Sequence, residues 1–285
     1  MIVQTHQIQE VNRLRRKLIN GLAGVVLCLA ALPFNAVEES STTAAGAAVR
    51  SVAAPARVAP VARLEAGAAK AGVSDDVLAM ALDAVNCATA SGDIKPPRTL
   101  TLIDYSRPSV EPRLWVFDLT RGELLFKELV AHGRNTGENM ATRFSDRMNS
   151  RQSSLGLFVT ADTYVGSKRY SLRLDGLEPG FNGSARERAI VMHGAPYVNA
   201  SLARTQGRIG RSWGCPALRE AVTRNVIDTI RGGGVIFSYY PDDRWLESSK
   251  FLNGCQDDGP RIQASGLSRS SRQVWGLRQP LGPVT

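Results

Sequence analysis

Val191-Met192-His193-Gly194 and, after a loop rich in Arg and Gly, Gly210-Arg211-Ser212-Trp213-Gly214-Cys215-Pro216 form the stretch on which the reading of this chain turns. His193 closes an apolar run (189–192) of the kind that makes a buried strand, and Cys215 follows a glycine, where the backbone turns sharply without steric cost. A cysteine nucleophile needs a base within hydrogen-bond reach and backbone N–H groups to hold an oxyanion. His193 and the backbone around Gly214 and Cys215 supply residues for both. A helical pattern then covers 217–231, with Leu218, Val222, Val226 and Ile230 at i, i+4 spacing and Gly232-Gly233-Gly234 ending it. It predicts a thiol close to a helix N-terminus, a position that favours the thiolate.

Upstream, the apolar period is that of strands. Runs at 99–105, 113–119, 123–132, 155–161, 189–193 and 235–240 are rich in Val, Ile, Leu and aromatics, and Arg121-Gly122 marks a tight turn. Two polar segments, 133–154 and 166–188, interrupt them and read as long loops, either binding surfaces or disorder. The domain is therefore mainly β with one or two peripheral helices, and periodicity alone does not choose between sandwich and barrel. Before it, Ser74 precedes Asp75 and Asp76, and Val77, Leu78, Ala81, Leu82 and Val85 repeat at helical spacing, which predicts a packing helix over 74–92.

The S-x-G-C pattern with a histidine upstream resembles the L,D-transpeptidase catalytic domain (YkuD-type) family, and Gly210–Pro216 with Ala217 resembles its murein L,D-transpeptidase subgroup more closely. Asp104-Tyr105-Ser106, Arg113-Leu114-Trp115-Val116, Val130-Ala131-His132-Gly133, Ser153-Ser154-Leu155-Gly156 and Ser171-Leu172-Arg173-Leu174 extend the likeness over 78–240. The resemblance implies a β-sandwich and acyl transfer through a Cys215 thioester, with His193 as base and the Gly194 carbonyl orienting its ring. The implied partner is a peptidoglycan stem peptide, attacked between diaminopimelate and a terminal D-Ala. No metal or other cofactor is implied, and the Cys and His spacings do not resemble a zinc site.

Within the site, Gly214 and Cys215 are assigned to the oxyanion. Arg208, Arg211, Ser212, Trp213 and His132 are the candidates for substrate binding. His132, also followed by a glycine, is a second candidate base; the family motif places the base on the strand before the Cys loop and so favours His193. The wider family has His where Trp213 stands and Arg where Ala217 stands, so recognition of a substrate carboxylate falls to Arg211 or Arg219. The same thioester passed to water would make an L,D-carboxypeptidase, and a non-catalytic wall-binding module is a further alternative. Papain-like and NlpC/P60-type peptidases have the cysteine before the base, the reverse of the order here.

Arg13, Arg15, Arg16 and Lys17 precede an apolar run at 18–32, the layout of a secretory signal cleaved near Ala36 or of an uncleaved anchor touching the membrane. The expected location is the periplasm or cell envelope. The chain carries a formal charge of +9, which fits attraction to an anionic wall polymer; no nucleic-acid motif accompanies it. With Cys28 inside the apolar run, Cys87, Cys215 and Cys255 remain, and a Cys87–Cys255 disulfide with Cys215 free is the economical arrangement in an oxidising compartment. The full expected order is signal or anchor over 1–36, flexible linker over 37–73, helix over 74–92, catalytic domain over 93–258 and a disordered basic tail over 259–285.

Overall fold

The computed structural model describes residues 58–255. The predicted signal or anchor, most of the linker and the predicted tail lie outside the described residues. In chain order the elements are α1 (Val58–Lys70), α2 (Asp75–Ala90), β1 (Thr99–Asp104), β2 (Leu114–Asp118), β3 (Glu123–Glu128), β4 (Val130–Ala131), β5 (Gly156–Gly166), β6 (Arg169–Gly176) and β7 (Val191–Gly194). Then follow α3 (Ala200–Gln206), β8 (Ala217–Leu218), α4 (Glu220–Ile230), β9 (Val235–Tyr239), α5 (Asp243–Ser248) and α6 (Lys250–Asn253).

The strands make one sheet in the order β3-β2-β1-β9-β5-β6-β7-β8-β4. Its two terminal strands, β3 and β4, are consecutive in the chain with only Leu129 between them, so the sheet folds round until its ends nearly meet. Both faces are buried, and the strand period of two sorts the side chains between them. Leu100, Leu102, Trp115, Phe117, Leu157, Val235 and Phe237 pack with α1, α2, Trp245 and Phe251. Their neighbours Ile103, Leu114, Val116, Phe158 and Ile236 pack on the other side with Leu172, Met192 and Val226, Ile227 and Ile230 of α4. The mainly β fold is thus a single sheet wrapped round one core and backed by a second.

Four local expectations are corrected. Val58–Lys70 is helix where the sequence reading placed linker as far as 73. Its small residues hid the stripe of Leu64 and Ala68 that buries against the helix–sheet core together with Ala71 just beyond the helix, and alanine is a strong helix former in any case. The loop read over 166–188 contains β6, whose half-exposed residues, Arg173 and Asp175 among them, masked the alternating Leu172 and Leu174. The helix after Cys215 begins at Glu220 rather than 217, because Ala217 and Leu218 are captured as β8 between β7 and β4. The loop between His193 and Cys215 also holds a helix, α3, capped by Asn199 Oδ1, which accepts the Leu202 N–H at 2.8 Å.

A disulfide joins Cys87 of α2 to Cys255, with Cα atoms 5.4 Å apart. Cys215 remains a free thiol.

Candidate active site

β7 carries His193 between two partners: Ser171 of β6 lies opposite it on one side and Ala217 of β8 on the other. Cys215 lies in the turn two residues before Ala217, which brings its backbone close to the start of the strand that pairs with His193. His193 Nδ1 lies 2.9 Å from the Gly194 carbonyl oxygen. Only a protonated Nδ1 can donate there, which leaves Nε2 with its lone pair free. Burial first, and the positive charge of Lys168, hold the imidazole below its ordinary pKa, so it is neutral and able to accept a proton at neutral pH. Gly194 is required for packing: a Cβ there would come within 2.7 Å of Thr223 Oγ1 and 3.3 Å of Glu220 Cα, at the start of α4.

The turn that presents Cys215 is tied to itself and to its neighbours. Ser212 Oγ donates to the Cys215 carbonyl at 2.6 Å and accepts the Gly214 N–H at 3.1 Å. Gly214 has φ +123°, and a Cβ there would lie 2.7 Å from the Gln152 carbonyl oxygen, so no other residue fits without rearrangement. Gly133 packs against the same turn, since its Cβ would meet Gly214 Cα at 3.0 Å. Ser153 joins the two glycines, its hydroxyl accepting from Gly133 N at 3.0 Å and donating to the Gly214 carbonyl at 3.1 Å. The repeated His-Gly pattern at 132–133 therefore serves a close backbone approach.

Cys215 Sγ is half-buried and lies 3.7 Å from the Ala189 carbonyl oxygen. Burial pushes the thiol above its ordinary pKa; the Val191 N–H and the charges of Lys168 and Arg188 oppose that rise. The helix-terminus argument for a ready thiolate does not hold, because β8 separates the sulfur from α4. The Val191 amide and the two cations favour the anion instead, against the larger effect of burial.

The remaining sequence candidates fall outside this cluster or serve it indirectly. His132 is 1 % exposed. Its Nδ1 accepts from Arg113 Nη2 at 2.7 Å and its Nε2 donates to the Gly137 carbonyl at 3.2 Å, so neither nitrogen is free for a substrate. Arg211 and Arg208 both pair with Glu138, at 2.6 Å and 3.0 Å, and Arg219 holds Glu128 through two bonds of 2.9 Å and 2.7 Å. Ser212 and the Gly214 amide are used within the turn. Trp213, two residues ahead of Cys215, is 68 % exposed, with the Arg151 guanidinium 4.8 Å from its ring centre. Sequence reasoning missed Lys168, exposed in the β5–β6 turn, and Arg188, the charged residue just ahead of the β7 apolar run. A groove of about 1100 Å³ runs along the 143–152 segment, lined by Arg143, Phe144, Asp146, Gln152, Phe181 and Arg244 among others.

A family model described as the L,D-transpeptidase catalytic domain matches residues 69–239. No curated protein matches the chain. Among solved structures, an L,D-transpeptidase from Mycobacterium smegmatis is similar over 50 % of this chain and 59 % of its own, at 14 % identity and a TM-score of 0.33. One from Stackebrandtia nassauensis covers 55 % and 65 % at 14 % identity and a TM-score of 0.32. One from Xylanimonas cellulosilytica covers 53 % and 68 % at 14 % identity and a TM-score of 0.30. The chain thus spans less than two thirds of the Mycobacterium smegmatis and Stackebrandtia nassauensis structures.

Proposed function

The chain belongs to the L,D-transpeptidase catalytic domain family, and from that membership we infer that it transfers acyl groups between peptidoglycan stem peptides through a thioester on Cys215. The observation that supports this reading is the tautomer of His193: its bond to Gly194 leaves Nε2 with a free lone pair, on the strand that pairs with Ala217, two residues after Cys215. The neutral imidazole takes the thiol proton as Sγ attacks the carbonyl between diaminopimelate and D-Ala. The C–N bond breaks, the imidazolium returns the proton to the departing amine, and the acyl group stays on sulfur. A second stem's diaminopimelate amine then attacks the thioester, gives its proton to the imidazole and releases the thiolate, which the imidazolium reprotonates. The Cys215 N–H, which faces its own sulfur, is the backbone donor for the tetrahedral oxyanion, since the Gly214 amide is bonded to Ser212.

Tetrapeptide muropeptides incubated with the purified protein should yield cross-linked dimers, and Cys215→Ala should lower the rate by about 10³-fold or more. Tripeptide monomers without dimers would identify a carboxypeptidase, with water resolving the thioester. A Cys215→Ala protein of unchanged activity would end the catalytic reading. Exposure to a carbapenem should add one covalent adduct at Cys215, read by intact mass. Export to the periplasm or envelope, with the basic and apolar N-terminal segment contacting the membrane, completes the proposal; the Cys87–Cys255 disulfide supports an oxidising compartment.

A further inference from the structure

The mechanism above leaves one buried charge unused. The Arg188 side chain is 3 % exposed. Its Nη1 donates to the Ser145 carbonyl at 2.7 Å and to Ser154 Oγ at 2.6 Å. Its Nη2 donates to Ser150 Oγ at 3.1 Å and to the Gln152 carbonyl at 2.7 Å. That Gln152 carbonyl is the oxygen against which Gly214 packs. The next residue in the chain, Ala189, places its carbonyl 3.7 Å from Cys215 Sγ, from a left-handed φ of 53° that is unusual for alanine. Arg188 therefore grips the cysteine turn through Gln152 to Gly214 and is followed directly by Ala189, whose carbonyl lies against the sulfur.

A buried guanidinium is costly unless its charge is answered. The carboxylate beside it, Asp146, is 3.7 Å away and also accepts from the Ser184 N–H and hydroxyl. Asp146 thus shares its charge with two other donors, and the Arg188 charge also acts on Cys215, favouring its thiolate. Of the titratable groups whose charges are coupled to Cys215, Tyr105 and Tyr197 are both pushed up to about 12 and remain neutral. His193 is neutral, and Lys168 is exposed in the β5–β6 turn, where salt screens it. Arg188 is the buried cation of the set.

We propose that Arg188 is a positioning residue for Cys215, fixing the turn that presents the sulfur and stabilising the thiolate formed there. The proposal rests on Cys215 being the reactive thiol; it does not depend on which acyl acceptor the enzyme uses. The test is the pH dependence of Cys215 alkylation by iodoacetamide in the full chain, followed by peptide mass spectrometry. Arg188→Gln should move the ionisation midpoint upward and slow alkylation at neutral pH by about tenfold. Asp146→Asn removes the opposing charge and should move the midpoint downward. Arg188→Lys keeps the charge without the four-bond fork, so it should retain most of the midpoint and lose turnover.

A folded Arg188→Gln protein with the parent midpoint, or Arg188→Gln and Asp146→Asn shifts in the same direction, would overturn the assignment. Should Arg188→Gln fail to fold, Asp146→Asn decides: a lowered midpoint supports the role and an unchanged one removes it. Opposite shifts in a protein that makes no cross-links would keep this role for Arg188 and remove only the transpeptidase reading.

Discussion

Arg113 and His132 show how two polar residues become a support. Arg113 is fully buried and meets no carboxylate directly among the described residues; its Nε and Nη2 donate to the Val130 carbonyl, Nη1 donates to the Arg107 carbonyl, and Nη2 also reaches His132. Burial first, then the Arg113 charge, push His132 down to about 4 from an ordinary 6.5. In the unfolded chain the imidazole takes up a proton as pH falls through 6.5, whereas the folded protein does not until about 4. The unfolded state therefore binds more protons in this window, and stability falls as pH falls through it, by ~3 kcal/mol in all. Urea midpoints measured across the window should decline more steeply for the parent protein than for His132→Gln; parallel declines would contradict the assignment. At this scale the contact between the His193 ring and the Gly194 carbonyl was legible, because the two are neighbours in the chain. The sequence could not show that Arg211 and Arg208 answer Glu138, or that Arg188 binds residues 145–154, because folding alone brings those partners together.

β2 and β9 were readable because both faces of the sheet are buried there and most positions are apolar, and β1 because Thr and Leu alternate over 99–102. β6 was not, since its half-exposed charges broke the run, and β8 was not, since a two-residue strand has no period. α1 was hidden by small residues that need a partner surface before they mean anything. That surface is the β2–β3 turn and the adjoining core: a Cβ at Gly122 would come within 1.8 Å of the Pro60 carbonyl oxygen and 3.1 Å of Leu64 N. Leu64 is 2 % exposed, so Leu64→Ala should cost about 2–4 kcal/mol, read as a lowered denaturant midpoint with an unchanged slope. A loss below about 0.5 kcal/mol would mean that α1 contributes little to the domain.

Across the whole molecule, the Cys87–Cys255 bond closes a separation of 168 residues and holds the C-terminal end of the described chain against α2. Closing so long a loop restricts the unfolded ensemble strongly, so a Cys87→Ala/Cys255→Ala double variant should lose about 3–5 kcal/mol. Chemical denaturation without reductant is the measurement, and an unchanged midpoint would refute the role. The wrapped sheet has a consequence of another kind. Open sheets display rows of unpaired amides and carbonyls at their margins, on which a second chain can template itself. Here one margin, β4, is two residues long and the other, β3, packs against α1. Detaching α1, by proteolysis or mutation, would expose the longer margin, so the helix that looked like linker guards the protein against self-association.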